Sequence, residues 1–353
     1  MKVRIIDIAK KAEVSTGTVD RILHNRGKVS KKAEEKVKKA LKELGYAPDI
    51  LARNLAMKKE LHIVCLLPNP EETKYWSRPV AGIQKAINEL SVFKVRISKV
   101  FFSSQATSFE EACQKALALN PNGVVYVPMF REPSVTFANS LQKNNIPFIH
   151  LNIFQQELKP LSFVGQEAYS AGKVAASLCD LALNANDKIL IAYISGEMQE
   201  YSHLQSRIEG FTDYFGDKGI NESRIEHFYV KVSADKKNYE KSFLDFLSSA
   251  GNIKIIYVPN SRAYRIASIL KKHNIKNILV IGFDTLEENL ELVKEGYIRF
   301  LIAQQSKNQG YNAVILLFNA LFKREKINNN YFLPIDILNK ENIEFYDGII
   351  NSL

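Results

Sequence analysis

The sequence predicts an α/β protein in which an all-helical N-terminal head precedes two doubly wound, parallel-sheet lobes. In the first sixty residues the apolar side chains recur at helical spacing, whereas from Leu61 onward short apolar runs alternate with amphipathic stretches. This alternation occurs twice, over about 61–160 and 165–290, and crossover helices between buried strands make a sheet parallel. Charge divides the chain at the same place. Residues 1–60 hold 16 basic and 8 acidic side chains, against 32 and 30 in the remaining 293 residues.

Composition places the chain among folded proteins, because 46% of its 353 residues are hydrophobic and only 11 are proline and 16 glycine. Charged residues interrupt the N-terminal segment where a secretory signal needs an apolar core, and no run approaches 18 apolar residues. We therefore expect a cytoplasmic protein without membrane contact. The cysteines are odd in number and lie in apolar segments, so we expect Cys65, Cys113 and Cys179 to be reduced core thiols without a disulfide or metal role.

The basic N-terminal segment predicts three helices. Apolar residues at helical spacing predict the first helix over 5–12, and Ser15 is placed to cap a second over 16–23. Ser30 is placed to cap a third over 31–44. Two short helices joined by a tight turn and braced by a third form a helix-turn-helix, in which the second helix enters the DNA major groove. A three-helix bundle that docks a protein partner is the alternative.

Several runs of this segment resemble the DNA-binding head of the LacI/GalR family. They are the residues at 6–9, 14–23, 28–30 and 44–48, followed by Ala52, Arg53, Asn54 and Leu55. The resemblance implies a helix-turn-helix domain over 1–47 and a hinge helix and linker over 48–60. It also implies that the hinge folds when two subunits meet on DNA, with Leu55 wedged into the minor groove. The implied DNA-binding residues are Ser15, Thr16, Gly17, Thr18, Arg21, Asn25, Arg26, Arg53 and Leu55.

Two residues depart from the family pattern. Glu13 stands where the turn usually has Gly or Asn in a left-handed conformation, which costs about 1 kcal/mol of backbone strain. Asp20 stands where a serine is usual. Both departures leave the operator sequence open.

The remainder of the chain predicts a two-lobed effector-binding and dimerisation domain over 61–353, whose ligand lies in the cleft at the carboxyl ends of the strands. It resembles the type I periplasmic-binding-protein fold, and its ribose-binding branch in particular. The predicted strands lie at 62–67, 94–100, 123–127, 146–151, 188–194, 225–230, 253–258, 277–283 and 298–303. The predicted lobes span about 61–163 with 305–333, and about 164–304 with 334–353.

The predicted effector-binding residues suit a sugar or polyol, since aromatic rings stack on a sugar face while arginine, carboxylate and amide groups bond its hydroxyls. Ile153 and Ser261 depart from the ribose-binding pattern, so ribose itself is doubtful. Core packing is the alternative role for the aromatic pair at 75–76, and helix capping for Asp284. The predicted residues are Tyr75, Trp76, Asn152, Gln166, Arg207, Asn260, Asp284 and Gln304.

These features together predict a DNA-binding transcriptional regulator, a repressor controlled by a sugar-like effector. It would bind a pseudo-palindromic operator as a homodimer, with pairing into tetramers left open. The sequence contains no G-x-S-x-G, P-loop, G-x-G-x-x-G or H-E-x-x-H motif, so we expect no enzyme activity, cofactor or metal. A solute-binding component of a sugar transport system and a sugar-modifying enzyme with a basic appendage are the alternatives.

Overall fold

A computed structural model describes residues 3–23, 29–44, 60–195, 202–231 and 236–346. Its contacts divide the chain into two units, 1–58 and 59–353. The predicted hinge, with Arg53 and Leu55, lies outside the described residues except for Glu60, and so do Asn25 and Arg26.

The head consists of three helices around a small apolar core, in agreement with the predicted helix-turn-helix. They are α1 (Ile5–Ala12), α2 (Thr16–Leu23) and α3 (Lys31–Glu43). Each helix contributes a fully buried side chain, namely Ile8, Val19 and Val37. Because these helices are too short to be stable alone in water, this shared core holds the turn between α1 and α2 in place.

The turn between α1 and α2 uses a left-handed residue, as predicted. Glu13 has φ 55° and ψ 45°, and the Val14 amide donates to the Ala9 carbonyl at 3.1 Å. This backward bond is the αL ending that helices normally build with glycine. The Glu13 carboxylate accepts a hydrogen bond from Lys36 Nζ at 2.7 Å.

The second unit contains two six-stranded sheets, one for each lobe. The first sheet, in lobe 1, has the order β11-β5-β4-β3-β1-β2 and is parallel throughout. Its strands are β1 (Leu61–Pro68), β2 (Val95–Phe102), β3 (Gly123–Tyr126), β4 (Phe148–Leu151), β5 (Ser162–Gly165) and β11 (Asn330–Phe332).

The second sheet, in lobe 2, has the order β12-β10-β9-β8-β6-β7, and only β12 is antiparallel to its neighbour. Its strands are β6 (Lys188–Ser195), β7 (Ile225–Lys231), β8 (Ile253–Tyr257), β9 (Leu279–Phe283), β10 (Phe300–Ala303) and β12 (Asp336–Leu338).

Helices lie between the strands and complete the two doubly wound lobes, which confirms the predicted fold class. Residues Lys74–Trp76 form a short 3-10 turn before the first of them. The helices are α4 (Ser77–Leu90), α5 (Ala106–Ala118), α6 (Arg131–Lys143), α7 (Ala168–Asp180), α8 (Ser202–Asp217), α9 (Lys236–Ala250), α10 (Ala263–Lys272), α11 (Glu287–Lys294) and α12 (Ser306–Phe318).

The chain passes between the lobes at three crossovers. The first follows β5 at 166–167, the second follows β10 at 304–305, and the third joins β11 to β12 at 333–335. Gln305 in the second crossover has φ 50°, and its side-chain amide donates to Asp336 Oδ2 at 2.9 Å. The second crossover is therefore hydrogen-bonded to β12, the strand that follows the third crossover.

Each lobe contains a pair of helices that cross at glycines. In lobe 1, a Cβ on Gly82 or Gly310 would lie 1.8 or 2.1 Å from a carbonyl oxygen of the facing helix. In lobe 2, a Cβ on Gly172 or Gly210 would lie 2.0 Å from one. No side chain fits at such distances, so α4 packs directly on α12, and α7 on α8. The facing carbonyls belong to Lys307, Pro79, Arg207 and Tyr169, respectively.

Candidate functional site

A cavity of about 350 Å³ lies between the lobes, at the carboxyl ends of their strands. This is the edge at which parallel α/β sheets bind ligands. Seven of the eight predicted effector residues line the cavity, and Gln166 does not. The seven are Tyr75, Trp76, Asn152, Arg207, Asn260, Asp284 and Gln304.

Two adjacent aromatic rings form part of the lobe 1 side of the cavity. Tyr75 and Trp76 lie in the 3-10 turn after β1, and their rings meet edge to face with centroids 5.0 Å apart and planes at 87°. Trp76 is only 4% exposed. Because edge-to-face contact fixes both rings, the cavity presents a preformed apolar wall to a ligand.

Arg207 on α8 is the buried cation of the cavity. Its guanidinium lies over the Phe283 ring, 3.9 Å from the centroid, and its Nη1 donates to the Pro259 carbonyl at 2.9 Å. Burial lowers the pKa of this group, and the charge of Asp284 opposes that shift. Its Nε has no hydrogen-bond partner among the described residues. A buried N–H donor of this kind is costly unless a ligand or water accepts from it.

Asp284 follows β9 and faces the same cavity. It has φ 69°, and its amide donates to the Ile302 carbonyl at 3.0 Å. Its Oδ1 accepts from Gln304 Nε2 at 2.8 Å. Burial raises the pKa of this carboxyl group to about 6, against the opposing effects of Arg207 and Gln304. Its alternative role as a helix cap is excluded, because the N-cap of α11 is Leu286.

Asn152 links the aromatic wall to the second crossover. Its Nδ2 lies 2.7 Å from the Tyr75 hydroxyl, 3.0 Å from Gln309 Oε1 and 3.4 Å from Gln304 Oε1. An amide nitrogen carries only two hydrogens, so it can bond two of these three oxygens strongly at a time. Gln309 is fully buried on α12 and was missed by sequence reasoning. A polar residue within an apolar helical stripe was the available signal.

Asn260 shapes the loop after β8. Its Nδ2 donates to the Ile194 carbonyl at 2.7 Å, and its Oδ1 accepts from the Arg262 amide at 3.0 Å. Arg262 also reaches the Ile194 carbonyl, through Nη1 at 3.0 Å. This second arginine lines the cavity, as do Phe102 and Met129, and sequence reasoning identified none of the three.

Gln166 was predicted to bind the effector, but the structure places it at the crossovers. Its Nε2 donates to the Ala303 carbonyl at 3.1 Å and to the Pro334 carbonyl at 3.3 Å. One side chain of the first crossover thus bonds the backbones beside the second and within the third. Both amide hydrogens of Gln166 are used in these bonds, so its side chain stabilises the junction between the lobes.

The described part of the DNA-binding face lies on α2. Ser15 Oγ accepts from the Thr18 amide at 3.1 Å and caps this helix, as predicted. Thr16, Gly17 and Arg21 are exposed, on the side away from the buried Val19. Arg21 Nε donates to the Gly17 carbonyl at 3.3 Å, and the side chain is exposed on this face.

Family comparisons agree with both units. A model described as bacterial regulatory proteins, lacI family, matches residues 4–49. A model described as periplasmic binding protein domain matches residues 63–325, about three quarters of the chain. The chain joins a lacI-family head to a domain of the periplasmic binding protein family.

Named relatives of this lacI-family regulator include repressors. It is 23% identical to a ribose operon repressor of Halalkalibacterium halodurans over 96% of both chains. It is 25% identical to a sucrose operon repressor of Streptococcus mutans over 97% of this chain and 100% of that one. A solved structure from Bacteroides fragilis, described as a LacI transcriptional regulator, is 27% identical with a TM-score of 0.75 and covers 82% of this chain and 100% of that one.

Three further features of the regulator bear on the sequence predictions. Cys65, Cys113 and Cys179 are free and buried, and burial raises the pKa of the Cys65 thiol to about 12. In the described ranges, no helix is both long and apolar enough to cross a membrane. Within those same ranges, no group of three His, Cys, Asp or Glu side chains could hold a metal ion.

Proposed function

We propose that this lacI-family regulator represses transcription from a DNA operator and that a sugar or polyol bound between its lobes controls its operator affinity. One observation carries the proposal. A helix-turn-helix with an exposed α2 face is joined, in one chain, to a cavity that sets aromatic rings opposite Arg207 and Asp284. The names of the ribose and sucrose operon repressors support the same function.

For DNA recognition, α2 would lie in the major groove of a half-site. Arg21 would bond guanine O6 and N7, and Thr16 would contact a thymine methyl group. Ser15, Gly17 and Thr18 lie at the start of the helix, where backbone amides favour phosphate. Asn25, Arg26, Arg53 and Leu55 complete the proposed contacts from outside the described residues. Two subunits would read a pseudo-palindromic operator in the cytoplasm.

For ligand binding, the cavity would hold a sugar between unlike walls. Trp76 and Tyr75 would cover an apolar face of the ring. Arg207 Nε would donate to one hydroxyl, and Asp284 Oδ2 would accept from another. The side-chain amides of Asn152, Asn260 and Gln304 already bond Tyr75, the Ile194 carbonyl and Asp284, respectively, and these bonds would orient the walls of the cavity. The same amides would complete the ligand's remaining hydrogen bonds.

Control of DNA binding would follow from closure of the lobes about the three crossovers. In a homodimer, such a rotation changes the separation of the two segments that lead to the heads. Coupling of this kind is typically about 1–3 kcal/mol, and it is reciprocal between ligand and DNA.

The test is selection of bound duplexes from a random DNA pool by the full-length chain, with and without D-ribose, sucrose and maltose. Enrichment of one pseudo-palindrome is expected, and at least one sugar should change its affinity about 5- to 150-fold. Binding without sequence enrichment would overturn the repressor function. Recovery of a chemically altered sugar would instead support the enzyme alternative.

Arg21→Ala tests the assignment of the reading helix. We expect a loss of about 1–3 kcal/mol of discrimination at the guanine of each half-site, because the paired hydrogen bonds disappear. Lys39→Ala on α3 is the control, since removing an exposed cation should weaken binding to all duplexes alike. Affinities for the selected operator and for single-base variants give the result. Unchanged base preference in Arg21→Ala would contradict the assignment.

A further inference from the structure

A salt bridge joins the two lobes beside the cavity. Lys74 Nζ, on the lobe 1 side, bonds Glu288 Oε1 in the first turn of α11 on the lobe 2 side. Lys74 is the residue immediately before the aromatic pair Tyr75 and Trp76. The contact therefore joins the segment that carries the apolar wall of the cavity to the opposite lobe.

The lobe 1 end of this contact is firmly held. The Asn69 carbonyl accepts from the amides of Glu72 and Thr73, both at 3.2 Å, and the Thr73 carbonyl accepts from the Trp76 amide at 3.0 Å. Glu72 Oε2 accepts from the Ser104 amide at 3.1 Å. This loop is hydrogen-bonded within itself and to the segment after β2. A displacement of Lys74 is therefore transmitted to the rings of Tyr75 and Trp76.

The lobe 2 end is held equally well. The next residue, Asn289, is fully buried, and its Nδ2 lies 3.0–3.1 Å from the carbonyls of Ser261, Phe283 and Asp284. Its Oδ1 accepts from the Tyr264 amide at 2.7 Å. Glu288 is thus fixed to the loops that carry the polar wall of the cavity.

The electrostatics of the pair favour this arrangement. The Glu288 carboxylate raises the pKa of Lys74, and Lys74 holds the pKa of Glu288 below its usual range. The Lys74 side chain is 69% exposed and that of Glu288 34% exposed. Such a pair contributes modestly and is weakened by salt, so it can tune the separation of the lobes without locking them.

We infer that Lys74 and Glu288 form an inter-lobe latch that sets the closure of the cavity and so positions Tyr75 and Trp76 opposite Arg207 and Asp284. Lys74 and Glu288 are positioning residues, since neither side chain lines the cavity. The inference deepens the proposed function and rests on it for the identity of the ligand. The latch itself can be tested without any ligand.

Trp76 provides the measurement, because it is the single tryptophan of the chain and is 4% exposed. Acrylamide, an uncharged quencher, reaches it when the lobes separate. We expect Lys74→Glu and Glu288→Lys each to raise the quenching constant of the full-length protein about two- to fivefold, because losing a partly exposed ion pair shifts an opening equilibrium by up to about this factor. The double charge reversal should restore the wild-type value.

Lys271 and Glu295 supply the matched control, since they form a 2.6 Å pair within lobe 2. Lys271→Glu should leave quenching unchanged. Wild-type quenching should rise with salt, whereas that of the neutral variant Lys74→Gln should not. Circular dichroism confirms folding, and Lys74→Gln with Glu288→Gln replace any charge reversal that fails to fold.

Equal quenching in wild type and both single variants, or failure of the double variant to restore it, would overturn the latch. If a sugar of the panel binds, its affinity should fall in the single variants and return in the double variant. If no sugar binds but quenching follows this pattern, the latch stands and the proposed ligand class fails.

Discussion

The buried position of Asp284 disfavours the charged form of its carboxyl group. Burial raises its pKa from an ordinary 3.8 to about 6, even though Arg207 and Gln304 favour the charged form. The native state therefore binds this proton more tightly than the unfolded state does. The resulting contribution to stability is fully present below pH 3.8 and is lost as the pH rises through about 6.

Asp284→Asn should remove this titration while keeping an oxygen that accepts from Gln304. The free energy of unfolding of the wild type, relative to that of the variant, is expected to be about 1 kcal/mol higher at pH 5 than at pH 8. Denaturant titrations followed by Trp76 fluorescence measure it, because this tryptophan reports on the two-lobed unit alone. A difference that is the same at both pH values would contradict the raised pKa.

Several polar residues of the cavity could be predicted from the sequence, because polar residues that directly follow buried strands converge at one sheet edge. Asn152, Asp284 and Gln304 follow this rule. Gln166 follows a strand too, but the chain leaves the sheet there, and its side chain bonds the other crossovers. Gln309 was missed although it lies in a stripe of small and apolar residues on α12, because the amide that it meets, Asn152, is 157 positions away in the chain.

The turn between α1 and α2 shows how an element can form at a strained residue. Glu13 adopts a left-handed conformation in which its Cβ crowds the backbone, and helices on both sides hold it there. The same position keeps its carboxylate near Lys36. Backbone strain and an exposed ion pair therefore act in opposite directions at one residue.

Glu13→Gly should stabilise the head. Relief of the left-handed strain exceeds the entropy that glycine adds to the unfolded chain, so amide exchange in the helices should slow about two- to fivefold. Exchange measured on peptides from residues 5–43 of the full-length protein gives the result. Lys36→Gln is the control, because it removes the ion pair without changing the turn. Faster exchange in Glu13→Gly would show that the side chain outweighs the strain.

Burial alone does not separate the predicted strands from the missed ones, since the missed β5 is buried throughout and the predicted β2 is mostly half-buried. The nine predicted runs correspond to β1–β4 and β6–β10, which contain long apolar stretches. Three strands were missed, namely β5, β11 and β12, with four, three and three residues. Their short sequences include Ser162, Gly165 and Asn330, and β11 is exposed throughout. Only their neighbours in the sheets make them strands, and such tertiary pairing is not visible in a local pattern.

At the scale of the whole molecule, the three crossovers join the two lobes, so any rotation of one lobe against the other has to be accommodated there. Gln166 bonds the backbones beside the second crossover and within the third, while its Oε1 is buried without a partner among the described residues. A different orientation of the lobes that brought a hydrogen-bond donor to Gln166 Oε1 would be stabilised by the new bond. Gln166 is therefore well placed to influence the balance between two lobe orientations.

Gln166→Leu should alter the coupling between sugar and operator. Loss of its donors removes one hydrogen bond from the buried Ala303 carbonyl and one from the part-buried Pro334 carbonyl, which costs about 1–3 kcal/mol of stability. The ratio of operator affinities with and without sugar should shift. Gln155→Leu is the matched control, because Gln155 Nε2 bonds one carbonyl within lobe 1 and its Oε1 is also buried. Denaturant titration and operator titrations measure both effects. An equal shift of the affinity ratio in the two variants would assign the effect to general destabilisation.

The helix crossings at glycine imply a common origin for the two lobes. In lobe 1, Gly82 meets the residue three positions before Gly310, and Gly310 meets the residue three before Gly82. Gly172 and Gly210 repeat this reciprocal register in lobe 2. Such agreement is expected of tandem copies of one ancestral unit. In the alignment that the two strand orders give, β1 corresponds to β6 and α4 to α8. Arg207 then corresponds to Pro79, so divergence of the copies made the same helix position a buried proline in one lobe and the cavity-lining arginine in the other.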